Sequence, residues 1–179
     1  MIFSRAEIPD IIIIQPDVFT DERGYFFESF KQNELNKFLG YDVMFCQDNE
    51  SKSTYGVLRG LHYQEPPFAQ AKLVRVIQGS VLDVAVDMRK NSSTFGKHVA
   101  IELNDQNKRQ LFIPRGFAHG FIVLSKIAIF SYKVDNYYNR EFDRGIAFDD
   151  KVLDINWRIK KSEIKISKKD NFHPLFCDI

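Results

Sequence analysis

SVLDVAVDMR, residues 80–89, alternates residue by residue. Leu82, Val84, Val86 and Met88 interleave with Val81, Asp83, Ala85 and Asp87. Period two is the mark of a strand, here one with unequal faces. Working outward, the neighbouring runs read the same way. HVAIEL and QLFIP flank NDQNKR, which reads as a hairpin turn, and HGFIVLS with AIFSYKV reads as a second pair. Gly79 and Gly96 stand between runs, where turns belong. Many short strands with close turns predict an all-β sandwich or barrel. One helix is expected, in SFKQNELNKFLG, where Leu35, Phe38 and Leu39 share a face and Gly40 supplies the stop. Beyond Trp157 the chain is basic and polar as far as FHPLF, which predicts peripheral turns or short helix.

Composition limits the function classes. The 179 residues suit one domain spanning 1–179, with a sizeable core. The net charge of +1, with no basic stripe, gives no signal for a nucleic-acid partner. A small anionic ligand remains compatible with a few local arginines. Seventeen Phe and seven Tyr suit a pleated, half-buried surface and can also line a pocket. Cys46 and Cys177 form no metal-type or redox-type pair and read as reduced thiols of a cytosolic protein. The start lacks the pattern of a signal peptide, and IIII at 11–14 is far too short to span a membrane.

Two motifs carry chemistry. GVLRGLHYQ (56–64) with the segment running on to Gly79 resembles the first motif of a cupin, a small jelly-roll barrel. PRGFAHG supplies Pro114, Gly116 and His119 of the second. The positions that hold a metal in that fold carry His62, Gln64, Lys72 and His119. A divalent cation wants imidazoles and carboxylates, and a lysine ammonium brings its own charge. These residues predict a metal-free pocket in which Lys72 stands in for metal charge. On spacing alone, histidines that merely satisfy core hydrogen bonds fit as well.

Four further stretches have both plain and functional readings. In FTDERGYFFESF, Arg23 suits a phosphate and Phe26 could face a base, or the segment is a surface strand with a turn at Arg23–Gly24. In QDNESKSTYGVLRG, Gln47 and Asn49 share a face if extended and Arg59 is a second phosphate candidate, or the segment is a polar loop. In SYKVDNYYNREFD, Tyr132 could donate a proton into the barrel and Tyr137 or Tyr138 could stack on a base, or all three are aromatic core. In SKKD, Asp170 could orient His62, or it is a solvated tail residue. His98 and His173 suggest no role.

Taken together, DERGYFFESF, QDNESKSTYGVLRGLHYQ, PRGFAHGF and YKVDNYY resemble the dTDP-4-dehydrorhamnose 3,5-epimerase family, in the family's order, from about Asp17 to Asp170. The resemblance implies a cupin-type jelly roll with a few short peripheral helices. It implies a dTDP-4-dehydro-6-deoxy-glucose substrate, no cofactor, and a homodimer whose N-terminal strand completes the neighbour's site through Arg23, Phe26 and Glu28. It implies His62 as base, Asp170 as its tautomer anchor, Lys72 as enolate stabiliser and Tyr132 as acid. Arg23 and Arg59 would hold the diphosphate. Gln47, Asn49 and Glu28 would fix nucleotide and sugar, Tyr138 would stack on thymine, and His119 would line the sugar site. Asp143 and Lys169 would touch the ligand, with Glu141 competing for the role of Asp143.

The chain departs from the family pattern at Phe148, Lys151 and Arg158, outside the expected chemistry. A single-centre epimerase at C3 or C5 is the nearest rival. A cupin that only binds a nucleotide sugar has no need of the acid–base set, and Gln64 with Lys72 counts against a metal-dependent cupin.

Overall fold

The computed structural model describes residues 1–179. Its strands run β1 (Ile2–Arg5), β2 (Ile12–Gln15), β3 (Phe19–Asp21), β4 (Gly24–Phe26), β5 (Gln47–Thr54), β6 (Leu58–Gln64) and β7 (Lys72–Gln78). They continue as β8 (Ser80–Asp87), β9 (His98–Asn104), β10 (Gln110–Ile113), β11 (Phe117–Val123), β12 (Ile127–Val134) and β13 (Asp143–Gly145). One sheet has the order β1-β2-β10-β7-β12-β5 and the other β13-β6-β11-β8-β9, while β3 and β4 form a separate hairpin. Every pairing within the sheets is antiparallel. This is the jelly-roll sandwich that the cupin pattern predicts.

The alternation in β8 acquires a meaning here. Val81 and Ala85 face the space between the sheets with Val74, Leu111 and Phe130. Leu82, Val84 and Val86 face the other way, under a cover of Ile146, Phe148, Leu153 and Trp157. The more apolar face therefore points away from the barrel interior, and the aspartate-bearing face lines it. A one-residue slip would move Asp83 and Asp87 under the apolar cover, so the register is strongly specified. That cover is the segment 146–157, joined by Ile159, Ile164, Ile166 and Phe176 of the tail; Trp157 is 6% exposed and donates its indole N–H to the Phe148 carbonyl at 2.8 Å.

The single α-helix, α1 (Gln32–Leu39), forms where expected and covers the outside of the six-stranded sheet through buried Leu35. Gly40 ends it in the left-handed conformation, its N–H bonded to the Asn36 carbonyl. Short 3₁₀ turns at 140–142, 161–163, 170–172 and 176–178 supply the other helical pieces.

Both expected hairpins are overturned. β9 pairs with β8, whereas β10 pairs with β2 and β7 in the opposite sheet. β11 pairs with β6 and β8, whereas β12 pairs with β5 and β7. The turn signals report a chain reversal, and reversal is common to a hairpin and to a crossing between facing sheets. Crossing prevails because it places the apolar inner faces of consecutive strands against one another.

Candidate active site

The site begins with an irregularity in β6. In a regular strand Arg59 and His62, three apart, would point to opposite faces. Opposite β11, however, His62 pairs with His119 and Arg59 with Phe121, so β6 carries one extra residue. This is a β-bulge, a device that re-aims side chains. Glycines permit it. Gly60 has φ +136, and a Cβ there would lie 2.4 Å from the Gly120 Cα. As a result Arg59 and His62 both line one cavity of about 700 Å³.

Two histidine–aspartate pairs stand on the five-stranded sheet. His62 Nε2 lies 2.8 Å from Asp170 Oδ1, and His119 Nε2 lies 2.9 Å from Asp83 Oδ2. Burial pushes the Asp170 carboxyl up, but the hydrogen bond and charge of His62 outweigh it and leave it below its ordinary value. Asp170 is therefore an acceptor, which favours the His62 tautomer that carries its proton on Nε2. Nδ1 is left as the basic nitrogen. His119 is driven down by burial, against the opposing pull of Asp83, and stays neutral.

The facing wall comes from the six-stranded sheet. Lys72 on β7 is 9% exposed, and its ammonium donates to the His62 carbonyl at 3.3 Å. Burial lowers it to about 8, with Asp83 and Asp143 opposing, so it is largely cationic at neutral pH. Tyr132 on β12 is pushed up by burial, partly countered by Arg59, and so keeps its phenolic proton. Asn49 lies directly across from Tyr132 in the β5–β12 register. The cavity thus has a histidine with its aspartate on one wall, and a proton-carrying phenol and a buried ammonium on the other.

Of the residues expected from the sequence, Asn49, Arg59, His62, Lys72, His119, Tyr132 and Asp170 line this cavity. Gln47 reaches it through Asn49, donating to the Asn49 side chain at 2.8 Å. Tyr138, Asp143 and Lys169 form a separate cluster: the Tyr138 hydroxyl donates to Asp143 at 3.0 Å and Lys169 pairs with the same carboxylate. Asp143 and Lys169 border a neighbouring groove of about 1100 Å³. Glu141 lies in the 140–142 turn, where its backbone N–H donates to the capping Asn139 side chain, and it takes no side-chain part in the cluster. Arg23 and Phe26 lie on the β3–β4 hairpin around a third hollow, with Arg23 paired to Asp21. Glu28 is exposed and paired to Lys31. One chain does not bring these three to the cavity.

The structure adds residues that the sequence reading missed. Asp83 is fully buried beside His119; its only signal was a charge inside an apolar strand. Ser53 accepts from Arg59 Nε at 3.1 Å and steadies the guanidinium. Ser167 Oγ accepts from the Asp170 backbone N–H at 3.1 Å. Gln64, at a metal-ligand position of the cupin pattern, is otherwise engaged. Its amide donates to the carbonyls of Phe68 and Tyr137 and accepts from Asn139 N–H, which ties down the loop before β13.

A jelly-roll barrel that sets a histidine–aspartate pair against a phenol, with a lysine where cupins place a metal, is a cupin-class protein with the groups that acid–base chemistry needs. The chain belongs to the dTDP-4-dehydrorhamnose 3,5-epimerase family, whose model matches residues 5–178. It is 56% identical over 174 residues to a dTDP-4-dehydrorhamnose 3,5-epimerase of Shigella flexneri, covering 97% of this chain and 95% of that protein. Among solved structures, the enzyme of that name from Elizabethkingia anophelis NUHP1 superposes with a TM-score of 0.96 at 50% identity, covering 99% and 97% of the two chains. The dTDP-6-deoxy-D-glucose-3,5-epimerase of Legionella pneumophila, solved with dTDP-4-keto-L-rhamnose, gives 0.93 at 46% identity, covering 97% and 91%.

Proposed function

We propose that this chain inverts C3 and C5 of dTDP-4-dehydro-6-deoxy-glucose, giving dTDP-4-dehydro-rhamnose. The observation that carries the reading is the placement of His62 and Tyr132 on opposite walls of one cavity. Protons beside the C4 ketone are weakly acidic. His62 Nδ1 takes one, the C–H electrons pass to the C4 oxygen, and an enolate forms. Lys72 stabilises that oxygen, because a preorganised cation in a water-poor site is strongest where charge develops. Tyr132 then delivers a proton to carbon from the other face, which inverts the centre. Both C3 and C5 flank the ketone, so one constellation serves both. Solvent afterwards returns His62 and Tyr132 to their starting states.

Arg59, steadied by Ser53, lies at the cavity and suits a diphosphate, since a guanidinium binds two oxygens together. Gln47 and Asn49 offer amides to nucleotide or sugar. Tyr138, Asp143 and Lys169 would meet the nucleotide end. Arg23, Phe26 and Glu28 reach a cavity only if the exposed β3–β4 hairpin docks on a second copy. Phe19, Tyr25 and Phe26 are 64%, 59% and 65% exposed in one chain, an apolar surface that a homodimer would cover. No helix is long and apolar enough to cross a membrane, and the two unpaired cysteines support a cytoplasmic location.

The test is isotope exchange. The chain is incubated with dTDP-4-dehydro-6-deoxy-glucose in D₂O and the sugar is read by NMR. Deuterium at both C3 and C5, with the product trapped as rhamnose by a reductase, is the expected result. Exchange at one centre would convert the reading to a single-centre epimerase, and exchange at neither would overturn it.

A further inference from the structure

His173 has no part in the chemistry above, yet it is packed against the catalytic pair. Its ring meets His62 edge to face, with centroids 5.4 Å apart and planes at 80°. Its side chain is 9% exposed, and its Nε2 is buried with no hydrogen-bond partner. That nitrogen points at Asp170 Oδ1, 3.4 Å away, the same oxygen that His62 Nε2 approaches at 2.8 Å. The ring also lies on Gly145, where a Cβ would stand 2.3 Å from its atoms, so its orientation is set by packing. An unpartnered buried nitrogen is costly and calls for an explanation.

We propose that His62, Asp170 and His173 form a site for a zinc-class divalent ion, and that occupancy of this site switches the enzyme off. The ligand atoms, two imidazole nitrogens and one carboxylate oxygen, all lie within 4.8 Å of one another. Zinc–ligand bonds of about 2.0–2.1 Å in a tetrahedron set neighbouring ligand atoms about 3.3 Å apart. The His173–Asp170 spacing already matches, the His62–Asp170 spacing must open by roughly half an ångström, and the two imidazole nitrogens, within 4.8 Å of each other, must close by up to about 1.5 Å. Two histidines and a carboxylate with a fourth position left to water is a recognised zinc donor set. Lys169, the neighbouring cation on this segment, is already neutralised by its pair with Asp143.

Inhibition follows from the tautomer and rests on His62 being the base. In the working state Nε2 carries the proton toward Asp170 and Nδ1 holds the lone pair. A metal on Nε2 needs the lone pair there. The imidazole proton moves to Nδ1, no proton is lost overall, and the nitrogen facing the sugar becomes a donor. The ion thus blocks the base without filling the cavity.

Co²⁺ tests the site separately from activity, because a tetrahedral cobalt site absorbs strongly in the visible. EDTA-treated protein and its His173→Ala variant would be titrated with Co²⁺ and with Zn²⁺, with turnover followed alongside. The expected result is about one Co²⁺ per chain with visible bands, inhibition by Zn²⁺ that EDTA reverses, and metal affinity at least about 10-fold lower in the variant. The variant should keep its metal-free turnover and its circular dichroism. Absence of the bands in the wild type, or equal metal affinity in a folded variant, overturns the site. Bands without inhibition would leave the site standing and overturn the role of His62 as base.

Discussion

Asp170 holds Nε2 of His62 at 2.8 Å across 108 residues of chain. The pairing fixes which imidazole nitrogen is basic, so its chemistry can be removed without removing its shape. Asp170→Asn presents an amide that can donate to Nε2, which drives the imidazole proton to Nδ1. Turnover should fall by about 10²–10⁴-fold, as for loss of a positioned base, with little change in KM. His62→Ala should lose at least as much. Deuterium uptake at C3 and C5 measures both, and a rate within a few-fold of wild type would refute the assignment.

Tyr132→Phe separates the two halves of the reaction. The variant keeps the ring and deletes the proton that burial retains on the phenol. Proton removal by His62 survives, so substrate should still exchange deuterium with retention, while formation of inverted product falls by about 10²-fold or more. Equal loss of exchange and inversion would remove the phenol from the role of acid.

Lys72 yields a prediction with two signs. The catalytically useful form is the cation, present below about 8 and lost above it, so kcat should decline as pH rises through that value. For stability the direction is opposite. The folded-state value lies below the unfolded one, so the unfolded chain binds more protons between about 8 and the ordinary value of 10.5. Stability from this group therefore rises with pH across that window. Lys72→Met should nearly abolish turnover and yet stabilise the free protein by about 1 kcal/mol or more, because it removes a buried charge with no paired carboxylate. That corresponds to a Tm gain of roughly 2–4 °C. A variant that is both inactive and less stable would contradict this account.

Gly60→Ala tests the bulge. The added Cβ would meet the Gly120 Cα at 2.4 Å with φ at +136. A loss of at least about 2 kcal/mol is expected from strain and overpacking together. KM should also rise as Arg59 is displaced. Urea denaturation and steady-state kinetics read the two effects, and a wild-type Cm would show that the bulge tolerates a side chain.

Mixed dimers test whether the β3–β4 hairpin serves a neighbour. Chains carrying His62→Ala and chains carrying Arg23→Ala would each be nearly inactive alone. If Arg23 completes the partner's cavity, each mixed dimer holds one site with both defects and one site with neither. Activity should then reappear on mixing and subunit exchange. If mixing restores nothing while exchange is verified, Arg23 acts within its own chain or not at all.

The chain by itself determined a good deal. Period-two alternation at 80–89, the turn glycines Gly79 and Gly96, the helix stopped by Gly40, and the spacing of His62, Lys72 and His119 were all legible, because they are local patterns of hydropathy and backbone freedom. Tertiary structure decided the rest. Turn signals report reversal without saying which sheet the next strand joins, so both expected hairpins became crossings. Which face of β8 lines the barrel interior depended on the segments that cover the other face. Arg59 and His62 share a wall only through a bulge that appears when β6 meets β11. Asp83 and His173 gained their partners from elements 36 residues away and, for His173, from β6 and the Asp170 turn folding together. Periodicity is encoded along the chain. Contacts between distant segments, and the burial that shifts Lys72, exist only once the sheets have closed on each other.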